Sequence, residues 1–167
     1  MIPTQEATWY MRPDHSLDMG RLLKAFQQFF RENADVWVEL FDYKEAGPHL
    51  VMQAFLHRVI NGGGWITREY GLGRKRTDLL IEWPLDPAQG MHGPLQRVVI
   101  ELKLRRGALG TVIGEAVPQA VGYARQVGAD ETHLVIFDRD PTTPWDTKIW
   151  HRTQALDDGG AVSVWGA

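Results

Sequence analysis

Residues 77–83 read TDLLIEW and residues 97–105 read RVVIELKLR. Both are short, rich in aliphatic and β-branched side chains, and bounded by turn-forming residues, which is the pattern of β-strands. The uninterrupted run Val98, Val99, Ile100 predicts a strand covered on both faces, at the centre of a sheet. A strand sends successive side chains to opposite sides, so Glu101 and Lys103 leave one face while Ile100 and Leu102 leave the other. If the two strands pair as a hairpin, Asp78 converges with Glu101. On the amino-terminal side WITREY (65–70) repeats the two-residue period, with GLGRKR (71–76) as the intervening turn. PLDPAQGMHGPLQ (84–96), rich in Pro and Gly, is expected to be a surface loop.

Helical spacing frames this sheet. Leu22, Leu23, Phe26, Phe29 and Phe30 recur at three and four residues from Leu17 onward, and Val36, Trp37 and Leu40 extend the pattern into a second helical segment. Residues 41–64, FDYKEAGPHLVMQAFLHRVINGGG, give another helix. Pro48 suits its first turn, Leu50, Met52, Phe55, Leu56, Val59 and Ile60 form its apolar face, and Asn61 with the glycines ends it. IGEAVPQAVGYARQVGA (113–129) is a further helix, with Pro118 expected near its first turn. THLVIFD (132–138) is a fourth strand, and TKIWHR (147–152) and AVSVWG (161–166) form a closing hairpin about the turn DDGG. Residues 1–16 carry no periodicity and read as a flexible lead-in. Trp37, Trp65, Trp83 and Trp150 lie in apolar runs and are expected in the core. Helices, three strands, a helix, a strand and a hairpin make an α/β sandwich around a mixed sheet.

At 167 residues, with 44% hydrophobic and 23% charged residues, the chain has the size and composition of one soluble globular domain. No run of about 18 apolar residues exists to span a membrane, and the amino terminus lacks the basic-then-apolar order of a signal peptide, so a cytoplasmic location is expected. The absence of cysteine removes thiol nucleophiles, disulfides and cysteine zinc sites. His49 and His57 lack a third ligand at zinc spacing, and there is no GxxxxGK[ST] or GxSxG. The single Gly-x-Gly of GLGRKR precedes a strand, which is wrong for a dinucleotide fold. A formal net charge of −3 gives no global sign of nucleic acid, so any such site must rest on local charge.

Two carboxylates converging on one sheet face, Asp78 and Glu101, suit a hard divalent cation, Mg²⁺ or Mn²⁺. Such a cation lowers the pKa of bound water and polarises a phosphoryl oxygen, and the Lys103 ammonium beside it stabilises developing charge or positions water. Taken alone, the same pattern is also that of an ordinary cross-strand ion pair. Basic residues bracket it, Arg74, Lys75 and Arg76 before Asp78 and Arg105 and Arg106 after Lys103, placed to neutralise phosphates or simply to solvate a turn and a strand end. Gln119 and Tyr123, four apart, share one helix face and can reach the same site, or else mark a helix edge. Glu45, just ahead of a helix, is either an amino-terminal dipole partner or a third carboxylate.

In order, Glu45, Gly73-x-x-Arg76-x-Asp78, Glu101-x-Lys103 and Gln119-x-x-x-Tyr123 resemble the motif set of the PD-(D/E)XK nuclease superfamily, and the last element is similar to the Q-x-x-x-Y of its RecB-like branch. The stretch from Asp42 to about Asp138 resembles the nuclease-like domain at the carboxyl end of some AAA-ATPase-like proteins, whose E-x-x-x-H is matched by Glu45 and His49. The usual proline before the aspartate is Thr77 here. The resemblance implies a restriction-endonuclease-like αβββαβ core over residues 42–167, with residues 1–41 as lead-in and helical connector. It implies a metal held by Asp78, Glu101 and the Leu102 backbone carbonyl, with Glu45 completing the shell. Lys103 would assist the water, and Gln119 and Tyr123 would contact substrate or order the site. The expected activity is a metal-dependent endonuclease acting on DNA, with a homodimer and an ATPase partner or fused module as further expected associations. A catalytically inactive nucleic-acid-binding module, or a protein-interaction domain using the helix at 17–32, stands as the alternative.

Overall fold

The period-two segments assemble into one sheet. The computed structural model describes residues 9–40, 46–60, 63–70 and 77–167. Its elements in chain order are α1 (Met19–Leu40), α2 (Ala46–Ile60), β1 (Trp65–Tyr70), β2 (Thr77–Pro84), a 3₁₀ turn (Gly90–His92), β3 (Leu95–Leu104), α3 (Leu109–Val127), β4 (Glu131–Phe137), α4 (Trp145–Lys148), β5 (Trp150–Ala155) and β6 (Ala161–Gly166). The sheet has six strands in the order β1-β2-β3-β4-β6-β5. β1, β2 and β3 run antiparallel; β4 lies parallel to β3, β6 parallel to β4, and β5 antiparallel to β6. Helix α3 is the crossover that a parallel β3–β4 pair requires. The chain is thus a mixed α/β fold.

Strand alternation divides the core into two layers. Leu79, Ile81, Trp83, Val98, Ile100, Leu102, Val135, Phe137 and Trp165 meet α1 and α2 through Leu22, Leu23, Phe26, Phe30, Met52, Leu56 and Ile60. On the opposite side Leu134, Ile136, Val162 and Val164 meet Val112, Ile113, Ala116 and Val117 of α3. β3 lies between β2 and β4, the central place its aliphatic run predicts.

Several local expectations are corrected. Residues 9–16 are packed, not a free lead-in. Tyr10 is buried and its hydroxyl donates to the Val59 carbonyl at 3.2 Å. The Gln96 amide accepts from Leu17 N–H at 2.7 Å and donates to Leu17 C=O at 3.1 Å, so a side chain replaces the ladder that periodicity would have revealed. Residues 36–40 continue α1 without a break. Helix α3 begins at Leu109, which leaves Pro118 inside it rather than near its start. Pro118 and Gly114, whose carbonyl loses the bond Pro118 cannot donate, both face solvent, where water can satisfy that carbonyl. Thr147 and Lys148 of the expected strand TKIWHR instead end the short helix α4, and β5 starts at Trp150. On α2, Leu50 is exposed and Val51 is buried in its place. Trp83 is buried as expected, whereas Trp65 is 64% exposed on the edge strand β1. Among the described residues no helix is long and apolar enough to cross a membrane.

Candidate functional site

The cross-strand register places position 78 of β2 directly opposite Glu101 of β3, with Glu69 of β1 next in the row. The Asp78 side chain lies outside the described residues, as do Glu45, Arg74, Lys75 and Arg76 in full. Glu101 and Lys103 leave the α3 face of the sheet, as strand alternation requires, because their β4 partners Leu134 and Ile136 belong to the apolar layer under α3. The Glu101 side chain is 0% exposed and Lys103 24%, and Lys103 Nζ lies 4.0 Å from Glu101 Oε1. Leu102, between them, points into the α1/α2 layer and is buried.

At the carboxyl end of β3 a cavity of about 240 Å³ is lined by His49, Leu102, Lys103, Leu104, Arg106, Val112 and Glu115. It joins the first turns of α2 and α3 to the strand that carries Glu101. His49 Nε2 is buried there and has no hydrogen-bond partner among the described residues. Burial, then the positive charges of Arg68 and Lys103, push the His49 imidazole down to about 4, so it is neutral at neutral pH. Arg106 borders this cavity. Arg105 turns aside, its guanidinium 3.7 Å from Asp138 and its Nε donating to the Gly107 carbonyl at 3.2 Å.

Gln119 and Tyr123 share a stripe of α3 with Glu115 at four-residue spacing. That stripe follows Val112, which lines the cavity with Glu115 and also belongs to the apolar layer that Ile113 and Val117 form with β4 and β6. Gln119 and Tyr123 thus lie one and two turns beyond Glu115 on α3, and neither is among the residues lining the Lys103 cavity. Gln119 Oε1 is buried without a hydrogen-bond partner among the described residues, and the Tyr123 hydroxyl is also buried. Glu115 escaped the sequence reading; its signal was the spacing Glu115-x-x-x-Gln119-x-x-x-Tyr123, which extends the recognised pair by one helical turn. Among the described residues no three His, Asp or Glu side chains group to hold a metal ion, and the expected donors Asp78 and Glu45 fall outside the described side chains.

No protein-family model, curated protein or solved structure matches this chain.

Proposed function

We propose that this chain is a PD-(D/E)XK-type nuclease that hydrolyses phosphodiester bonds in DNA with Mg²⁺ or Mn²⁺. The observation that carries this reading is the register of Asp78 opposite Glu101, with Lys103 two residues on along the same sheet face and 4.0 Å from a fully buried Glu101. The element order α2-β1-β2-β3-α3-β4 supports it, being the αβββαβ order of a restriction-endonuclease-like core.

The residues fit a divalent cation on chemical grounds. Asp78, Glu101 and the Leu102 carbonyl, with Glu45, would make an all-oxygen set of the kind hard cations take, and the full burial of Glu101 strengthens its attraction for positive charge. When bound, the metal supplies an activated water and polarises the phosphoryl oxygen. Lys103 brings an ammonium to the mouth of the cavity, where it offsets charge developing on the phosphoryl group and orients the attacking water. Neutral His49 adds a hydrogen-bonding group without further charge. Gln119 and Tyr123 order the α3 wall, and Arg74, Lys75, Arg76 and Arg106 hold the flanking phosphates, Arg105 being engaged by Asp138.

The test is cleavage of plasmid and single-stranded DNA with Mg²⁺ and with Mn²⁺, wild type beside Asp78→Ala and Lys103→Ala. Metal-dependent nicking is expected from wild type, reduced by about a hundredfold or more in either variant. Binding without cleavage in wild type would replace this reading with a non-catalytic nucleic-acid module; cleavage that survives both substitutions would place the site elsewhere.

A further inference from the structure

Among the described residues, the α3 side of the sheet is covered over one half only. Helix α3 packs on β3 and β4, and its apolar layer is completed by β6. On β1, by contrast, Trp65 and Thr67 of that same face are exposed, Trp65 over 64% of its surface, while Ile66 and Arg68 on the reverse face are part-buried on the side where α2 packs. The openness therefore belongs to one face of β1 and not to the strand as a whole.

The ladder gives this face an order. Trp65, Glu82 and Arg97 form one cross-strand row, in which Arg97 Nε lies 3.2 Å from Glu82 Oε2. Thr67, Leu80 and Val99 form the next row, and Glu69, Asp78 and Glu101 the one after. Four residues of strand separate Trp65 from the row of the candidate carboxylates, about 13 Å along the sheet. One indole thus stands with Thr67 on an exposed strip of β1, two register rows from the row of the candidate carboxylates.

We propose that Trp65 is a stacking platform for an unpaired base of the strand being cut, so that the preferred substrate is single-stranded DNA or a frayed end. This rests on the nuclease reading. An indole offers a broad π-face on which any base stacks, whereas paired bases hide their faces inside the duplex. The neighbours on the strip argue for a nucleotide over an apolar protein surface. Thr67, Glu82 and Arg97 are polar or charged, suited to base edges and a backbone phosphate, and Trp65 is the lone large exposed apolar group among these three rows' described side chains.

The experiment measures anisotropy of a fluorescein-labelled oligothymidylate 12-mer and of a blunt duplex of equal length, without divalent metal so that nothing is cut. Trp65→Ala is expected to weaken single-strand binding by about 5- to 100-fold, with Trp65→Tyr within about threefold of wild type. The slope of log affinity against log salt should be unchanged, because no phosphate contact is lost. Equal affinity of wild type and Trp65→Ala for the single strand overturns the proposal. So does a wild type that self-associates in light scattering and becomes monomeric on Trp65→Ala, which would make the indole a contact between copies. If Asp78→Ala abolishes cleavage while Trp65→Ala binds normally, only the stacking role falls. If wild type neither binds nor cuts, the nuclease reading falls and takes this proposal with it.

Discussion

A carboxylate buried as completely as Glu101 and an imidazole held neutral on α2 express one local fact: the end of β3 is poorly hydrated, with Lys103 and Arg106 lining its cavity and the charge of Arg68 felt at His49. His49 registers it most directly. Its folded pKa, near 4, lies below the ordinary histidine value of about 6.5, so the unfolded chain takes up the proton first as pH falls. The stability it contributes is complete above about pH 6.5 and is lost progressively toward pH 4. Urea denaturation at pH 7 and pH 4.5 should show wild type losing about 2–3 kcal/mol more than His49→Gln, whose amide does not titrate. Glu131, whose carboxyl is held low by His133, Arg12 and Gln96 against the cost of burial, loses stability in the same direction in both proteins, so the difference isolates His49.

At the scale of an element, α3 departs furthest from what its residues prefer. It packs Val112, Ile113, Ala116 and Val117 on the sheet and carries Glu115, Gln119 and Tyr123 along its flank, yet Pro118 interrupts its hydrogen bonds. Tertiary packing outweighs the local preference: a helix anchored by a buried stripe tolerates a proline on its solvent side. Pro118→Ala should therefore raise stability by about 1–3 kcal/mol, read from the urea midpoint, because Gly114 C=O regains its partner and the ring clash is removed. The ends of α3 follow more ordinary rules. Gly128 closes the helix in the left-handed conformation at φ 67°, its N–H donating back to the Ala124 and Arg125 carbonyls.

For the whole molecule, a buried amide is one of the ties between the first helix and the carboxyl-terminal hairpin. Gln27 Nε2 of α1 donates to the Trp150 carbonyl at 2.9 Å and to the Gly166 carbonyl at 2.7 Å, joining the first helix to the β5–β6 hairpin. Gln27→Leu keeps the volume but removes both of these hydrogen bonds, and is expected to cost about 1–3 kcal/mol in chemical denaturation. Gln28→Leu is the control: its amide faces solvent and bonds Glu32, and its loss should stay within about 0.5 kcal/mol. The hairpin so anchored is no appendage. β6 lies parallel to β4, and the layer under α3 is completed by Val162 and Val164.

The residues alone determined what local periodicity encodes. The two-residue alternation of WITREY, TDLLIEW and RVVIELKLR placed β1, β2 and β3, and with them the shared face of Glu101 and Lys103; the spacing of Leu22, Leu23, Phe26 and Phe30 placed α1. Those patterns are legible because each reports burial of one side of one element. Tertiary structure alone decided what depends on a partner distant in the chain. Gln96 falls in the stretch expected to be a surface loop and is buried because the Leu17 backbone it bonds is brought to it, and Gln27 is buried against the Trp150 and Gly166 carbonyls. Trp65 reads as core until α3 is seen to pack on β3 and β4, and Glu115 reads as a helix surface until β3 sets Lys103 and Arg106 around the same cavity. A side chain's alternation is written in its neighbours, but its burial is set by whichever element, many residues away, packs against it.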